Sequence, residues 1–342
     1  MSQTTKKRHH YIPEAYLYKF QVSDANPKVY VYQKHEALPP RLGTPKNLAV
    51  ESYYYAFDKE DGRDTNSIED MFSMVESLYP GIVEKIVKQE IFYPQDIDNL
   101  ATFIALMRVR VPNFRLQYEA GHAEAVKTHG MIFARHDKEF QQMHKEHLAK
   151  AKASGDYKSI DALNKIKEEL ELGKLNVSIN PQISLIGIDL FRKIHSRLKD
   201  LKWGFFTSDC DQDFITSDNP TLWHDTSIKE FYPYKNGIES PHVQFVFPLT
   251  KNVIVLANTF FKERVSYGSL PKKWVYTYNH AIAKSAERYI FASQDHLGRM
   301  IGKYRNIVPT LEHARIKEGT GYNHIMRHSL GKPHKLPTWK NK

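Results

Sequence analysis

Between Ile97 and Val111, apolar residues Ile97, Leu100, Ile104, Met107 and Val111 recur at intervals of three, four, three and four, and Pro112 follows at once. That spacing gives one apolar face to an α-helix, which must pack on a partner surface, and the proline ends or kinks it. An earlier run, Ile68, Phe72, Val75 and Tyr79, has the same period after a Ser67/Asp70 variant capping box, which predicts a helix over about 67–90 broken at Pro80-Gly81. The rest of the chain changes period. Residues 28–33, 50–57, 203–207, 213–217, 242–248 and 252–258 are short and rich in β-branched and aromatic residues, with Pro, Gly, Asp and Asn between them. Such runs read as strands joined by turns, which favours antiparallel pairing.

The stretch from 114 to about 172 is polar and helix-favouring, with Gly155 as a break and Gly173 as a stop, so it reads as a helical hairpin projecting into water. Further helices are expected near 181–200 and 279–291. The resulting expectation is an α+β protein: a helical core packed with short antiparallel strands in one domain over 1–308, with a helical insertion at about 114–180. Residues 309–342 read as a basic, flexible tail.

The formal net charge of +10 is confined to the ends of the 342-residue chain. Residues 1–10 carry Lys6, Lys7 and Arg8 without an acid, residues 301–342 carry nine basic residues against Glu312 and Glu318, and residues 11–300 are neutral. Basic ends on a neutral body point to contact with a polyanion such as nucleic acid, or serve solubility alone. The single cysteine, Cys210, lies between Asp209 and Asp211, which oppose thiolate formation. One cysteine forms no internal disulfide, the first ten residues lack an apolar signal segment, and no apolar run could span a bilayer. A cytoplasmic location without membrane contact is expected.

Four sets of residues bear on chemistry. His9 and His10 open HHYIPEAYLYKF, which resembles the start of the His-Asn-His nuclease motif, with His10 as general base and Asn47 as the central asparagine. The second half of that motif lacks its histidine, Asp58 being the nearest acid, and a packed, hydrogen-bonded turn is the competing reading. Glu69 and Glu76 lie seven apart on one helix, as do Arg108 and Arg115 around the next. They read as interhelical ion pairs or as a divalent-cation and phosphate site, with Arg108 partly buried. In FITSDNPT, Ser217, Asp218 and Asn219 end a strand before Pro220, where a sheet holds polar groups rigidly and where Asp and Asn also make local turns. His122, His129 and His136 are too far apart for one ion, about 10 Å at 1.5 Å per residue, and with His144 and His147 they read as a solvated face. No Walker loop, Rossmann glycine fingerprint, Cys-x-x-Cys or His-Glu-x-x-His is present.

Taken in order, HHYIPEAYLYKF, KNLAVESYYY, SIEDMFSMVE, FIALMRVRVPNFR, FITSDNPT and VFPLTKNVIVL resemble the motif series of domain of unknown function 4238, a mainly bacterial family, over about residues 8–295. The resemblance implies that His10, Pro13, Glu69, Arg108, Asp218 and Pro220 belong to the family pattern; it implies no activity. The functional expectation is therefore drawn from the residues. It is a divalent-metal-dependent phosphodiesterase or nuclease, using Mg or Mn, with Glu69 and Asp218 as metal ligands, His10 as base and Arg108 on the phosphate. Arg115, Asn219 and Ser217 would bind substrate. The alternative is a non-enzymatic module for nucleic acid or a protein partner, in which the same polar residues are structural.

Overall fold

The computed structural model describes residues 7–59, 62–174, 177, 187–318 and 321–334. Expectations that fall on residues 178–186 and 335–342 lie outside the described residues. From the N-terminus the chain forms β1 (Arg8–His10), α1 (Glu14–Leu17), β2 (Val29–Gln33), β3 (Arg41–Gly43), β4 (Val50–Ser52), β5 (Phe57–Lys59) and β6 (Gly62–Asp64). Three long helices follow: α2 (Ser67–Val87), α3 (Pro94–Val109) and α4 (Pro112–His136). Next come α5 (Lys138–Ala153), α6 (Tyr157–Glu171), α7 (Ile188–Asp200), β7 (Lys202–Ser208), β8 (Thr216–Ser217) and β9 (Leu222–Asp225). The last elements are β10 (Val243–Pro248), β11 (Val253–Asn258), β12 (Val265–Leu270), α8 (Lys272–Ser285), β13 (Tyr289–Ala292), α9 (Gly298–Gly302), β14 (Val308–Glu318) and β15 (Gly321–Gly331). The protein is α+β.

These elements divide into two compact units. The first comprises residues 1–116, 184–310 and 328–342, and the second residues 117–183 and 311–327.

In the first unit, strands run in the order β12-β7-β11-β10-β9 in one sheet and β3-β2-β13-β8 in another. β10 and β11 are buried along their whole length, as continuous apolar runs require. The pairing within these sheets is antiparallel, as expected, except at β12, which lies parallel to β7. Beside the sheets an aromatic core forms around Tyr16, whose ring centroid lies 5.2 Å from Phe20, 5.7 Å from Tyr79 and 5.4 Å from Phe247. Its hydroxyl donates to Pro248 O at 2.7 Å, so the buried phenol keeps a partner. α3 buries Ile97, Leu100, Ile104 and Met107 as its spacing requires, and Pro112 stands at the first position of α4.

Four other expectations change. α2 runs unbroken through Pro80, because a proline removes a single N–H while Tyr79, Ile82, Val83 and Ile86 are buried on both sides of it. The strand expected over 50–57 is interrupted at Tyr53, whose φ is 54°. The helix expected over 279–291 begins seven residues earlier and stops at Ser285; Tyr289–Ala292 is a strand paired with β2. The segment expected as a flexible tail forms, over its described part, the paired strands β14 and β15. Val308, Thr310, Ile316, Tyr322 and Ile325 are strand formers that its charges overshadow.

In the second unit, Asp137 caps α5 by accepting from Phe140 N at 2.7 Å, and Asp156 caps α6 by accepting from Ser159 N at 3.1 Å. Gly155, at φ 67°, supplies the left-handed residue that separates these two helices. His144 is buried with Nε2 3.2 Å from Leu163 O, so it joins α5 to α6 instead of facing water.

Candidate functional site

The first unit gathers its buried charges around one turn, Ala286–Arg288, between α8 and β13. An α-helix ends with carbonyls that lack intrahelical partners, and the turn that follows exposes N–H groups. Both sets are met here by charged side chains. Asp218, directly after β8, accepts at Oδ1 from Glu287 N (2.8 Å) and at Oδ2 from Arg288 N (2.7 Å) and Tyr289 N (3.0 Å). Lys34, directly after β2, donates from Nζ to the carbonyls of Lys284 (2.9 Å) and Ala286 (2.6 Å), where the helix dipole favours a cation. Asn219 donates from Nδ2 to Ser285 O at 2.8 Å. His35 adds a fourth tie: its Nδ1 accepts from Asn306 N at 3.1 Å, which leaves Nε2 to donate to Glu287 O at 2.6 Å.

The turn so clamped presents the Glu287 carboxylate. Oε2 accepts from Asn113 Nδ2 at 2.6 Å, and His334 Nδ1 lies 3.0 Å from Oε1 and 3.2 Å from Oε2. Asn113 Oδ1 in turn accepts from Asn219 Nδ2 at 3.3 Å, and Asn219 Oδ1 from the Tyr234 hydroxyl at 3.1 Å. Above the Tyr234 ring, 4.3 Å away, sits the fully buried guanidinium of Arg108, with Phe114 and Trp223 at 5.4 and 5.7 Å.

Burial sets the protonation of this centre. Asp218 is pushed up to about 6, by loss of water first and by the charge of Glu287 second, while its three N–H bonds pull the other way. Glu287 moves in the opposite direction: burial acts upward, but His334, Asn113 and Arg288 outweigh it and hold the carboxyl below its ordinary value. Burial lowers Lys34 to about 7 against the attraction of Asp218 and Glu287. The two carboxylates thus divide the labour, with Asp218 the one nearer to holding a proton.

A second network centres on Arg110. Arg110, the C-cap of α3, meets Glu76 through Nη1, Tyr55 Oη through Nε at 3.2 Å and the His10 carbonyl through Nη2. Arg110 thus supplies an ion pair to Glu76 on α2. His9 is fully buried with Nδ1 accepting from Tyr55 N at 2.9 Å, and Asn47 Oδ1 accepts from Arg8 at 3.1 Å.

Of the residues expected at a catalytic centre, Ser217, Asp218, Asn219 and Arg108 come together around the clamped turn. Ser217 Oγ accepts from Asn219 N at 3.1 Å, a local turn bond. His10 belongs to the second network, where burial lowers its pKa and its Nε2 lies 3.3 Å from Lys46 O. Glu69, in the first turn of α2, acts there through the charge it places near Tyr55. Arg115 donates to Tyr54 O at 3.2 Å and covers the Tyr54 ring at 5.0 Å. Among the described residues no three His, Cys, Asp or Glu side chains converge as a metal-binding group. Asp218 in particular spends both oxygens on the main chain.

Lys34, Asn113, Glu287 and His334 were not singled out in the sequence. For Glu287 the obscuring factor is the helix expected to run to 291, which would have placed SAERY mid-helix. Asn113 had a signal, since it follows the proline that starts α4.

No helix among the described residues is long and apolar enough to cross a membrane. Comparison with curated proteins and with solved structures finds no match. A family model does match, over residues 8–296. The chain, with its clamped turn inside that span, belongs to the family described as protein of unknown function (DUF4238).

Proposed function

We propose that the protein binds nucleic acid and that Asp218, Asn219 and Lys34 are the scaffold of its polar centre. The observation that carries this reading is the commitment of Asp218: a carboxylate that accepts three main-chain N–H bonds at 2.7–3.0 Å has little left to offer a cation. A Mg- or Mn-dependent phosphodiesterase built on His10, Glu69, Arg108 and Asp218 fits that commitment less well, and less well again with His10 and Glu69 in the second network. Polyanion contact is supported by the excess of +10 and by the exposed cations Lys7, Arg8, Arg299, Lys303, Arg305 and Lys332, for which the described residues supply no ion pair.

Fluorescence anisotropy with a labelled RNA or DNA oligonucleotide, over a salt series, tests this. Binding should weaken on a log–log scale with a slope of about 0.7–0.9 per phosphate neutralised. Failure to bind at low salt would end the reading. Strand cleavage that requires Mg or Mn and disappears in a folded Asp218→Asn variant would restore the metal-dependent one.

A further inference from the structure

An imidazole held at one ring nitrogen by a fixed carboxylate has its other nitrogen free to exchange a proton. Glu287 and His334 have this form. Nδ1 of His334 faces both oxygens of Glu287, at 3.0 and 3.2 Å, so it carries the hydrogen and Nε2 carries the lone pair of the neutral ring. Nε2 has no hydrogen-bond partner among the described residues. The Glu287 side chain is 1% exposed and that of His334 12%, so the acid is sealed and the imidazole reaches solvent. Behind the acid, Asn113 holds the carboxylate itself, and Asp218, Lys34, Asn219 and His35 hold the main-chain turn that carries it. A surface ion pair needs none of this support; a group that must orient an imidazole does.

We propose that His334 is a general base positioned by Glu287, and that its substrate is RNA. The inference rests on the nucleic-acid reading above. An imidazole removes a proton but brings no nucleophile, and RNA carries its own in the ribose 2′-hydroxyl beside each phosphorus. His334 Nε2 takes the 2′-hydroxyl proton, the 2′-oxygen bonds to phosphorus, and the bond from phosphorus to the 5′-oxygen breaks. The proton then passes from Nε2 to the departing 5′-oxygen. The products are a 2′,3′-cyclic phosphate and a 5′-hydroxyl, and no water, oxidant or reductant is consumed. Glu287 stabilises the imidazolium that forms between the two proton transfers. The charges around the pair are Asp218 after β8, Lys34 after β2, and Arg288 beside Glu287; exposed Lys332, two residues before His334, adds a cation for the phosphate.

The test is cleavage of an RNA oligonucleotide by the full chain in EDTA, with anisotropy recording binding in the same buffer. Wild type should release 2′,3′-cyclic phosphate ends and leave a strand with 2′-deoxyribose at the cleavage site intact. His334→Gln, whose side-chain amide can still donate to Glu287, should bind within about threefold and cleave roughly 100-fold more slowly or worse. Imidazole added to His334→Gly should restore part of the rate. Glu287→Gln, if folded, should slow cleavage at least about tenfold while RNA binding stays within about threefold. RNA that is bound but stays whole would overturn the inference and leave the binding reading standing. So would equal cleavage by His334→Gln or of the deoxy strand. Absence of RNA binding would remove both.

Discussion

The charges of the clamped turn and those on the helices of the second unit are the same residue types put to opposite uses. Asp218 and Lys34 are buried, and the hydrogen bonds they make among the described residues are with main chain. On α6, Lys165 lies 4.0 Å from Glu169 and Lys167 lies 3.6 Å from Glu171, four residues apart and open to water. An exposed pair gains little because water solvates either partner alone. A buried carboxylate with three N–H groups aimed at it has no such substitute, and its loss strands donors in a dry interior. Burial and main-chain bonding, more than the count of charges, decide which residues this fold depends on.

The contrast can be broken at several points. Asp218→Ala leaves three buried N–H groups without an acceptor and should cost about 3–5 kcal/mol in urea unfolding, or prevent folding. Asp218→Asn, which keeps an acceptor oxygen, should cost clearly less, and equal losses would mean that the N–H bonds are not what matters. Glu76→Ala strands the buried Arg110 guanidinium beside Tyr55 and should cost about 2–4 kcal/mol. A value near zero would show that the His10 carbonyl and Tyr55 satisfy the arginine by themselves.

pH gives a third, smaller effect. Lys34 has a folded pKa of about 7, below its unfolded value, so from about pH 7 upward the unfolded chain binds the extra proton and stability rises with pH. Asp218, raised to about 6, binds the extra proton in the folded state, so its contribution grows as pH falls from about 7 toward 4. Lys34→Met should flatten the upper slope and leave the lower one. At the foot of the scale, Lys167→Ala should change stability by less than about 0.5 kcal/mol, and a larger loss would reverse the comparison.

How far the sequence reveals this arrangement follows from the range of each interaction. The 3-4-3-4 run of α3, the proline opening α4 and the apolar runs of β10 and β11 are local signals, and the structure follows them. β1 and β4, three residues each, are too short to show a period. The polar strand end at Ser217–Asn219 was visible as a rigid site. Its partners were not, because Glu287 lies 69 residues beyond Asp218 and Lys34 reaches Ala286 across 252. The pairing of Arg110 with Glu76 was hidden for another reason: helical spacing says where a side chain points inside a helix, and Arg110 sits just past the last turn of α3.

The path of the chain gives the candidate base a place in time. Glu287 and His334 are separated by 47 residues, among them a segment of the second unit. On the ribosome the carboxylate is therefore made well before its imidazole, and a nascent chain that has reached only the end of the family-matched span still lacks it. Any chemistry that needs both groups waits until translation has passed residue 334.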